Sequence, residues 1–391
     1  MILSAAATSA HSTLPASPAS KNSDVRMIDA FMASSELEMV RYRLRLHEPI
    51  TIKTIIVEAS YTHAGQPKPL LVRRLLDSLP EDEKRRYNIR LVQVDATAEA
   101  LLHARCRFAS LSSSARSGDD ELVAAGAEHA AYNKSECAHA SRLARTATGG
   151  IVDARSLLEG QQRRAMNGAI LEELELTNHT DAAAAAAATA APPPLFVHVS
   201  DVDELLDPRH AVRLPALVPR CSAAHLYLYG FSEHCHYGSP RWMRSVIARA
   251  SWLAPVLRER PDTELRMVHK EAIQHLISRG CADPRRHAPP HVGVHFSYFF
   301  STASILSKLR SFLHAGDGGV RAVTQSANPE ALVELKVRAC TPMTSKLSNE
   351  SAPRIRNWAN VTRLVEEGRL PALLGWPKHP AWESSISRPE S

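Results

Sequence analysis

The sequence predicts an α/β fold with a Rossmann-like, mainly parallel sheet and flanking helices. Two observations support this fold class. Short, β-branched apolar segments recur along the chain, and a segment with apolar residues at helical spacing separates the first two. Strands that alternate with helices favour right-handed crossovers and an open parallel sheet, whose ligands bind beyond the carboxyl ends of the strands.

The predicted elements follow one another in this alternating order. Strands are predicted at residues 27–31, 52–58, 89–95, 195–200, 223–229 and 292–300. Helices are predicted at residues 36–47, 155–176, 303–314 and 359–368, and the expected N-cap of the third is Ser301. Residues 242–257 are expected to turn from a loop into a helix or strand. The alanine tract at residues 181–191, which three prolines follow, is expected to be a linker or an insertion.

The chain is expected to divide into five parts by composition. Residues 1–26 are rich in Ala, Ser, Thr and Pro and form a disordered N-terminal segment. The α/β domain begins with residues 27–95 and continues with residues 195–320. Residues 96–194 are a low-complexity insertion that contains helices, and residues 321–391 are a C-terminal extension.

The composition excludes several classes of protein. A hydrophobic fraction of 44% with 23% charged residues is typical of a globular protein. Although the net charge is +6, aromatic residues make up only 5% and no Lys/Arg run is interleaved with them, which argues against nucleic-acid binding. The six cysteines include no CxxC pair, which argues against a zinc ribbon or a thioredoxin-like site. Their number fits both disulfides and reduced thiols.

The sequence gives two opposing indications of compartment. It contains no apolar run of about 18 residues that could span a bilayer, and its first seven residues lack the basic region of a signal peptide, so a soluble chain is expected. The four N-x-S/T sequons favour a lumenal location; they begin at Asn133, Asn178, Asn349 and Asn360.

The strongest local indication of chemistry is the apolar strand at 195–200, which leads directly into Asp201-Val202-Asp203. At the carboxyl end of a strand both carboxylates can face one ligand cavity. Hard oxygen ligands suit Mg²⁺ or Mn²⁺, which share their remaining positions with substrate phosphates. The alternative is an acidic strand end that caps a following helix.

Several other residues have both a functional and a structural interpretation. Glu58 closes a predicted strand at the ligand edge, but an ion pair with Lys68 or Arg73 fits it almost as well. Arg164 and Asn167 share a helix face. On the 292–300 strand His295 and Ser297 share one face and Tyr298 points to the other, while Trp242 could stack on a sugar or lie in the core.

Five segments along the chain carry a family resemblance. They are Ile28-Asp-Ala-Phe31 with Glu36-Leu-Glu38 and Arg43-Leu44; Ile56-Val-Glu-Ala-Ser60 with Thr62 and Gly65-Gln-Pro-Lys-Pro-Leu70; Glu159 with Gln162-Arg-Arg164 and Asn167; Val199-Ser-Asp-Val-Asp-Glu204; and Val294-His-Phe-Ser-Tyr-Phe299 with Lys308 to His314. Residues 238–249 fit the same pattern. In content and order these segments resemble glycosyltransferase family 17, the β-1,4-mannosyl-glycoprotein 4-β-N-acetylglucosaminyltransferases.

The resemblance implies a GT-A type fold in which residues 27–95 begin the nucleotide-sugar-binding domain and residues 195–320 hold its acceptor half. It implies inverting transfer of N-acetylglucosamine from UDP-GlcNAc to the core β-mannose of an N-linked glycan or glycoprotein, with Mn²⁺ or Mg²⁺, in the Golgi or secretory-pathway lumen. Two alternatives remain open, namely a transferase of the same fold with another sugar or acceptor, and a catalytically silent glycan-binding protein.

The resemblance also assigns roles to individual residues. Asp201 and Asp203 are the expected metal and diphosphate ligands, with Asp203 the first choice for the metal. Glu204 either orients them or favours a helix N-terminus. The expected donor-binding residues are Glu58, Lys68, Arg164 and Asn167. The residues expected to line the acceptor site are Trp242, Arg249, His295, Ser297 and Tyr298. The catalytic base is left unassigned.

Overall fold

The computed structural model describes residues 25–62, 65–98, 100–102, 157–187, 192–230, 243–263, 265–266, 270–283, 292–299, 301–311, 318–339, 341 and 343. Their main feature is a six-stranded sheet in the order β3-β2-β1-β4-β8-β6. Four strands are parallel: β1 (Arg26–Met32), β2 (Thr51–Ala59), β3 (Ile89–Val94) and β4 (Leu195–Asp201). Strand β8 (Val246–Arg249) is antiparallel both to β4 and to the edge strand β6 (Cys221–Ala223), so β6 runs in the same direction as the first four. The predicted α/β class with a mainly parallel sheet is therefore confirmed.

A second, three-stranded sheet has the order β5-β9-β7 and consists of β5 (Glu204–Leu206), β9 (Gly293–Ser297) and β7 (Leu226–Gly230). Besides residues 98 and 100–102, which are also helical, eleven helices whose bounds are defined surround the sheets. They are α1 (Leu37–His47), α2 (Leu71–Asp77), α3 (Glu81–Tyr87), α4 (Leu157–Ala187), α5 (Pro208–Ala211), α6 (Leu214–Leu217), α7 (Ala250–Glu259), α8 (Lys270–Ser278), α9 (Thr302–Ser311), α10 (Gly318–Thr324) and α11 (Pro329–Arg338). None of the helices in these ranges combines the length and apolar character that a membrane span requires.

The strand order reverses at one point in the main sheet. From β1 the chain passes through α1 to β2 and through α2 and α3 to β3, moving to one side, whereas β4 joins the other side of β1. In open α/β sheets, ligands bind at such a reversal, beyond the carboxyl ends of the two strands. The last residues of these strands, Met32 and Asp201, are paired in register.

Helical layers cover both faces of the main sheet because successive side chains of a strand point to opposite faces. On β2, Ile56 packs into the apolar cluster that contains α1, α2 and α9. Its neighbours Ile55 and Val57 pack on the opposite face, with α4 and α7. Strands buried on both faces explain the continuous apolar runs in the sequence.

Helix α4 differs from the sequence-based expectation. The tract at 181–191 is expected from the sequence to be a linker or an insertion, but α4 continues into it as far as Ala187, because alanine has the highest helix propensity. Arg26 at the start of β1 donates to both carboxylate oxygens of Asp181 over 2.7 and 2.5 Å. Met166, Ile170 and Leu174 are buried against the sheet, so this helix within residues 96–194 contributes to the core.

Other elements differ in smaller ways. The strand predicted at 223–229 is two strands, β6 and β7, which belong to different sheets. Residues 242–257 were expected to form a helix or a strand, and they contain both: strand β8 comes first and helix α7 follows it. Ser301 accepts a hydrogen bond from the Ser304 amide, as expected of an N-cap. Helix α10 spans the expected boundary at 320/321. Residues 1–24 and the helix predicted at 359–368 lie outside the described residues.

Candidate functional site

The predicted acidic site is a tight turn at the strand-order reversal. Strand β4 ends at Asp201, the chain turns through Val202 and Asp203, and β5 begins at Glu204. We call residues 201–204 the acidic turn. Its place at the carboxyl end of β4, beside the carboxyl end of β1, is where an α/β sheet of this topology binds ligands.

The buried guanidinium of Arg43 on α1 holds the acidic turn in place. One of its terminal nitrogens donates to the backbone carbonyl oxygens of Asp201 at 2.7 Å, Val202 at 3.3 Å and Glu204 at 2.9 Å. Turn carbonyls buried away from water need such donors, since an unpaired buried carbonyl costs about 1–3 kcal/mol. Arg43 therefore determines the backbone conformation from which the acidic side chains project.

Arg43 is neutralised within a fully buried polar cluster. The carboxylate of Asp29 on β1 accepts from Arg43 at 2.8 and 2.6 Å, and its two oxygens also lie 2.8 Å from His47 Nδ1 and 3.1 Å from His198 Nδ1. Burial alone would raise the pKa of Asp29, but Arg43 and His47 hold it well below its usual range. Burial lowers the pKa of His198 to about 4, so its imidazole is neutral at pH 7.

This cluster is the only group of three or more His, Cys or acidic residues in the described ranges whose ligand atoms come close enough to hold a metal, within 4.8 Å. A metal does not fit there. Arg43 already contributes a positive charge and lies 3.2 Å from His198 Nδ1. His47 Nε2 accepts from the Leu206 amide at 3.1 Å, which ties β5 to α1. The cluster is a structural network.

The carboxylate of Asp201 faces a group of arginines on one side of the acidic turn. Its Oδ2 lies 2.7 Å from Arg266, and its Oδ1 lies 3.9 Å from Arg163 on α4. About a third of its side chain is exposed, at 34%. Burial raises the pKa of Asp201 to about 6, and Arg266 opposes this rise.

Glu204 lies beneath Asp201 on the same side. It is fully buried, its Oε1 accepts from Arg266 at 2.6 Å, and its Oε2 accepts from the Asp201 amide at 2.9 Å. Glu204 thus orients both Asp201 and Arg266, and it lies in β5 and caps no helix. Arg244 is close enough to these groups that burial, and next the charge of Arg266, lower its pKa.

Asp203 projects to the other side of the acidic turn. Its Oδ2 accepts from Lys308 on α9 at 2.9 Å, and its Oδ1 lies 3.5 Å from His295 Nε2 on β9. Lys308 also lies 3.3 Å from Glu36, just before α1. Burial would raise the pKa of Asp203, but Lys308 and His295 hold it well below its usual range. With 6% of its side chain exposed, Asp203 is a buried group that is ionised at neutral pH.

The strand that carries His295 is held close to the acidic turn. A Cβ atom on Gly293 would lie 1.9 Å from the Leu205 carbonyl oxygen, so only glycine permits this approach of β9 to β5. After Ser297, which is partly exposed, the chain leaves the strand at Tyr298 with φ of 61°. The centre of the Tyr298 ring lies 5.9 Å from the ammonium of Lys308. Because the backbone turns at Tyr298, the alternation of faces expected for a strand does not determine the direction of its side chain. Burial raises the pKa of Tyr298 to about 12.

Two predicted donor-binding residues lie at the end of β2. The fully buried carboxylate of Glu58 accepts from the amides of Val72 and Arg73 at 2.8 and 2.9 Å, so it caps the N-terminus of α2. Lys68 lies 4.0 Å from Glu58, and burial lowers its pKa while Glu58 and Glu36 oppose that change. The structural interpretation of Glu58 accounts for both of its oxygens.

The other two predicted donor residues do not come together. Arg164 is exposed and bonds only weakly to the Gly160 carbonyl, whereas the buried Asn167 amide donates to the carbonyls of Pro261 and Thr263 at 3.0 and 2.8 Å. Asn167 thus anchors the loop after α7. The residue of α4 that reaches the acidic turn is Arg163.

Arg249, predicted to line the acceptor site, lies at the opposite end of β4. It is paired in register with Phe196 near the start of that strand, about 16 Å from Asp201 along it. Its guanidinium donates to the Val218 and Pro215 carbonyls at 3.1 and 2.9 Å, which makes it structural. Trp242 lies outside the described residues.

The donor set favours a divalent cation at Asp201 over one at Asp203. Mg²⁺ and Mn²⁺ need only one or two protein carboxylates when phosphates and waters complete their coordination. Both carboxylates face cationic side chains, but Asp201 is partly exposed, at 34%, whereas only 6% of the Asp203 side chain is exposed. Asp201 is therefore the more accessible ligand, and the choice between the two stays a prediction.

Neither the protein-family models nor the curated proteins compared with this chain match it. The family membership that the five segments indicate consequently remains a proposal.

Proposed function

We propose that this protein is a nucleotide-sugar-dependent glycosyltransferase that moves N-acetylglucosamine from UDP-GlcNAc to the core β-mannose of N-linked glycans. The proposal includes a GT-A type arrangement of the sheet and a divalent cation, Mn²⁺ or Mg²⁺, at Asp201. A transferase of the same fold with another sugar or another acceptor is the second possibility.

One observation carries the proposal: segments that are far apart in the sequence and resemble the family converge on the acidic turn. Arg43 from the first segment binds its backbone, Arg163 from the third approaches Asp201, and Lys308 from the fifth pairs with Asp203. The fourth segment is the turn itself. From the second segment, Lys68 lies within the electrostatic reach of Glu36, which pairs with Lys308.

The residues of the turn would divide the work of binding a nucleotide diphosphate. Asp201 would hold the cation, which when bound neutralises the negative charge that grows on the leaving diphosphate. Glu204 fixes the direction of the Asp201 backbone through its amide. Asp203 ties the turn to α9 and β9, so that these elements form a rigid floor beneath the exposed carboxylate.

Two features support a secretory-pathway location as part of this proposal. Cys221 of β6 and Cys281, which follows α8, form a buried disulfide, and disulfides persist mainly in oxidising compartments. Asn178, the only sequon asparagine in the described residues, is exposed on α4 and open to glycosylation.

The experiment is incubation of the purified protein with UDP-GlcNAc and Mn²⁺ while UDP is monitored, with and without N-glycans that expose the core mannose. We expect release of UDP that the acceptor increases and that Asp201→Asn abolishes. Asp262→Asn, a substitution at an exposed aspartate between α7 and α8, is the control that keeps activity. A folded protein that releases no UDP from any UDP-sugar would contradict the proposed activity and favour the alternative of a glycan-binding protein.

A further inference from the structure

A single guanidinium already occupies the carboxylate that the cation would use. Arg266 lies between α7 and α8, with 5% of its side chain exposed, and it spans two acidic groups. Its two terminal nitrogens lie 2.7 Å from Asp201 Oδ2 and 2.6 Å from Glu204 Oε1. The oxygen of Asp201 that a cation would approach is therefore held by an internal positive charge.

Among the described residues, the charges around Asp201 balance in number. The carboxylates are Glu159, Asp201 and Glu204, and the guanidiniums are Arg163, Arg244 and Arg266. Asp203 also acts on Asp201, but its own charge is paired with Lys308. A cation alone would add an uncompensated charge to this group. A cation together with a diphosphate adds charges of opposite sign, and the balance is kept.

We propose that Arg266 is an exchangeable counter-ion, which leaves Asp201 when a divalent cation binds there and then donates to the diphosphate of the nucleotide. This inference rests on the proposed function. Planar guanidiniums bind phosphate oxygens in bidentate fashion, and Glu204 keeps Arg266 beside the site after Asp201 is released. Arg163 and Arg244 provide further donors at the same place.

The exchange makes cation and nucleotide binding depend on each other. In the free protein, Arg266 competes with the cation for Asp201. The ion pair between Arg266 and Asp201 therefore lowers the affinity for the cation, and a bound cation weakens that ion pair. Once the cation is bound, the released guanidinium strengthens nucleotide binding, and by linkage the nucleotide strengthens cation binding by the same factor. Asp201 alone, without Arg266, would bind the cation well and the nucleotide poorly.

The test is calorimetric titration of the whole protein with Mn²⁺ alone, with UDP alone, and with UDP at saturating Mn²⁺. For Arg266→Gln we expect Mn²⁺ alone to bind about tenfold more tightly than to the wild type, because a competing charge is gone. We expect UDP at saturating Mn²⁺ to bind about tenfold more weakly, because a charged hydrogen bond to phosphate is lost. The two affinities should change in opposite directions.

Arg266→Lys keeps the charge but cannot span two carboxylates, and should show the same changes to a smaller extent. It also keeps Glu204 paired, and so provides the test if Arg266→Gln does not fold. Arg258→Gln, which breaks an exposed pair with Glu175, is the matched control and should leave all three titrations unchanged.

Two results would overturn the exchange while leaving the proposed function intact: wild-type affinities in both Arg266 variants, or a parallel loss of Mn²⁺ and UDP binding in Arg266→Lys. If the wild-type protein binds neither Mn²⁺ nor UDP, the proposed function itself fails and the exchange fails with it.

Discussion

Arg43 donates a hydrogen bond of 2.7 Å to the backbone carbonyl oxygen of Asp201, although the two residues are 158 positions apart in the sequence. The same guanidinium forms a bidentate pair with Asp29 on β1. A helix that follows the first strand thereby fixes the turn that follows the fourth. The acidic turn owes its shape to this buried ion pair as well as to the sheet.

Replacing Arg43 should destabilise the protein and disorder the acidic turn. Arg43→Met leaves the carboxylate of Asp29 buried without its main partner, which costs about 3–5 kcal/mol in other proteins. Chemical denaturation should show a loss of that size. Arg41→Met on the same helix, where Arg41 is exposed, should change the free energy of unfolding by less than about 0.5 kcal/mol.

The companion substitution Asp29→Asn tests whether the two residues act together. If they do, the double variant is less destabilised than the sum of the single variants, because neither charge is then left alone. Additive effects would contradict the assigned pairing.

The stability of the protein should fall in mildly acidic solution because of His198. Its pKa is about 4 in the folded protein and near 6.5 when unfolded, so between these values the unfolded chain binds more protons. The free energy of unfolding is therefore highest, with respect to His198, above pH 6.5. It decreases by about 3 kcal/mol as the pH falls from 6.5 to about 4. Asp201 has the opposite effect: because its pKa is raised to about 6 in the folded protein, its protonation increases the free energy of unfolding as the pH falls below about 6.

The measurement is the free energy of unfolding from pH 7.5 to 4.5 for the wild type and His198→Gln. Because Asp201 is present in both proteins, the difference between the two curves isolates His198. The difference in free energy of unfolding between the wild type and His198→Gln should decrease or change sign as the pH falls. Parallel curves would show that His198 takes up its proton as readily in the folded protein as in the unfolded chain.

Asp201 and Asp203 should respond differently to the same substitution. Asp203→Asn removes the main partner of Lys308 and should lower the free energy of unfolding by about 2–4 kcal/mol, with Glu36 limiting the loss. Asp201→Asn should leave thermal stability nearly unchanged, because Arg266 keeps Glu204 as a partner. The measurement is the thermal unfolding temperature of both variants. Equal unfolding temperatures would argue against the distinct roles assigned to these carboxylates.

The disulfide should contribute to stability but not to nucleotide binding. Cys221 and Cys281 are 60 residues apart, and a bond that closes a loop of that size contributes about 2–4 kcal/mol. The variant with both residues changed to alanine should lose that amount in chemical denaturation and keep its affinity for UDP. Unchanged stability would mean that the thiols are not linked in the protein.

The sheet and the place of the site could be predicted from the sequence because they depend on local patterns. Continuous β-branched runs predicted the parallel strands, and the carboxyl end of one of them placed Asp201 at the ligand edge. The long-range connection to Arg43 was not predicted. The burial of Arg43 could have been predicted, however. Arg43 and His47 lie at helical spacing from Val40, so they share the apolar face of α1.

The orientation of the site residues was harder to predict than their position. Arg164 was favoured, but the buried stripe Arg163, Met166, Ile170 and Leu174 shows that its neighbour faces the sheet. Asp201 and Asp203 were expected to face one cavity. The strand ends at Asp201, so the alternation of side chains that applies within a strand does not extend to Asp203.

We propose that the partly exposed carboxylate of Asp201 links a divalent cation to a nucleotide diphosphate. The decisive test is calorimetric titration of UDP-GlcNAc into the wild type and Asp201→Asn, each with and without Mn²⁺. We expect the wild type to bind UDP-GlcNAc only when Mn²⁺ is present, and the folded Asp201→Asn variant to lose this affinity. Wild-type affinity that is the same without Mn²⁺, or that persists in Asp201→Asn, would contradict it.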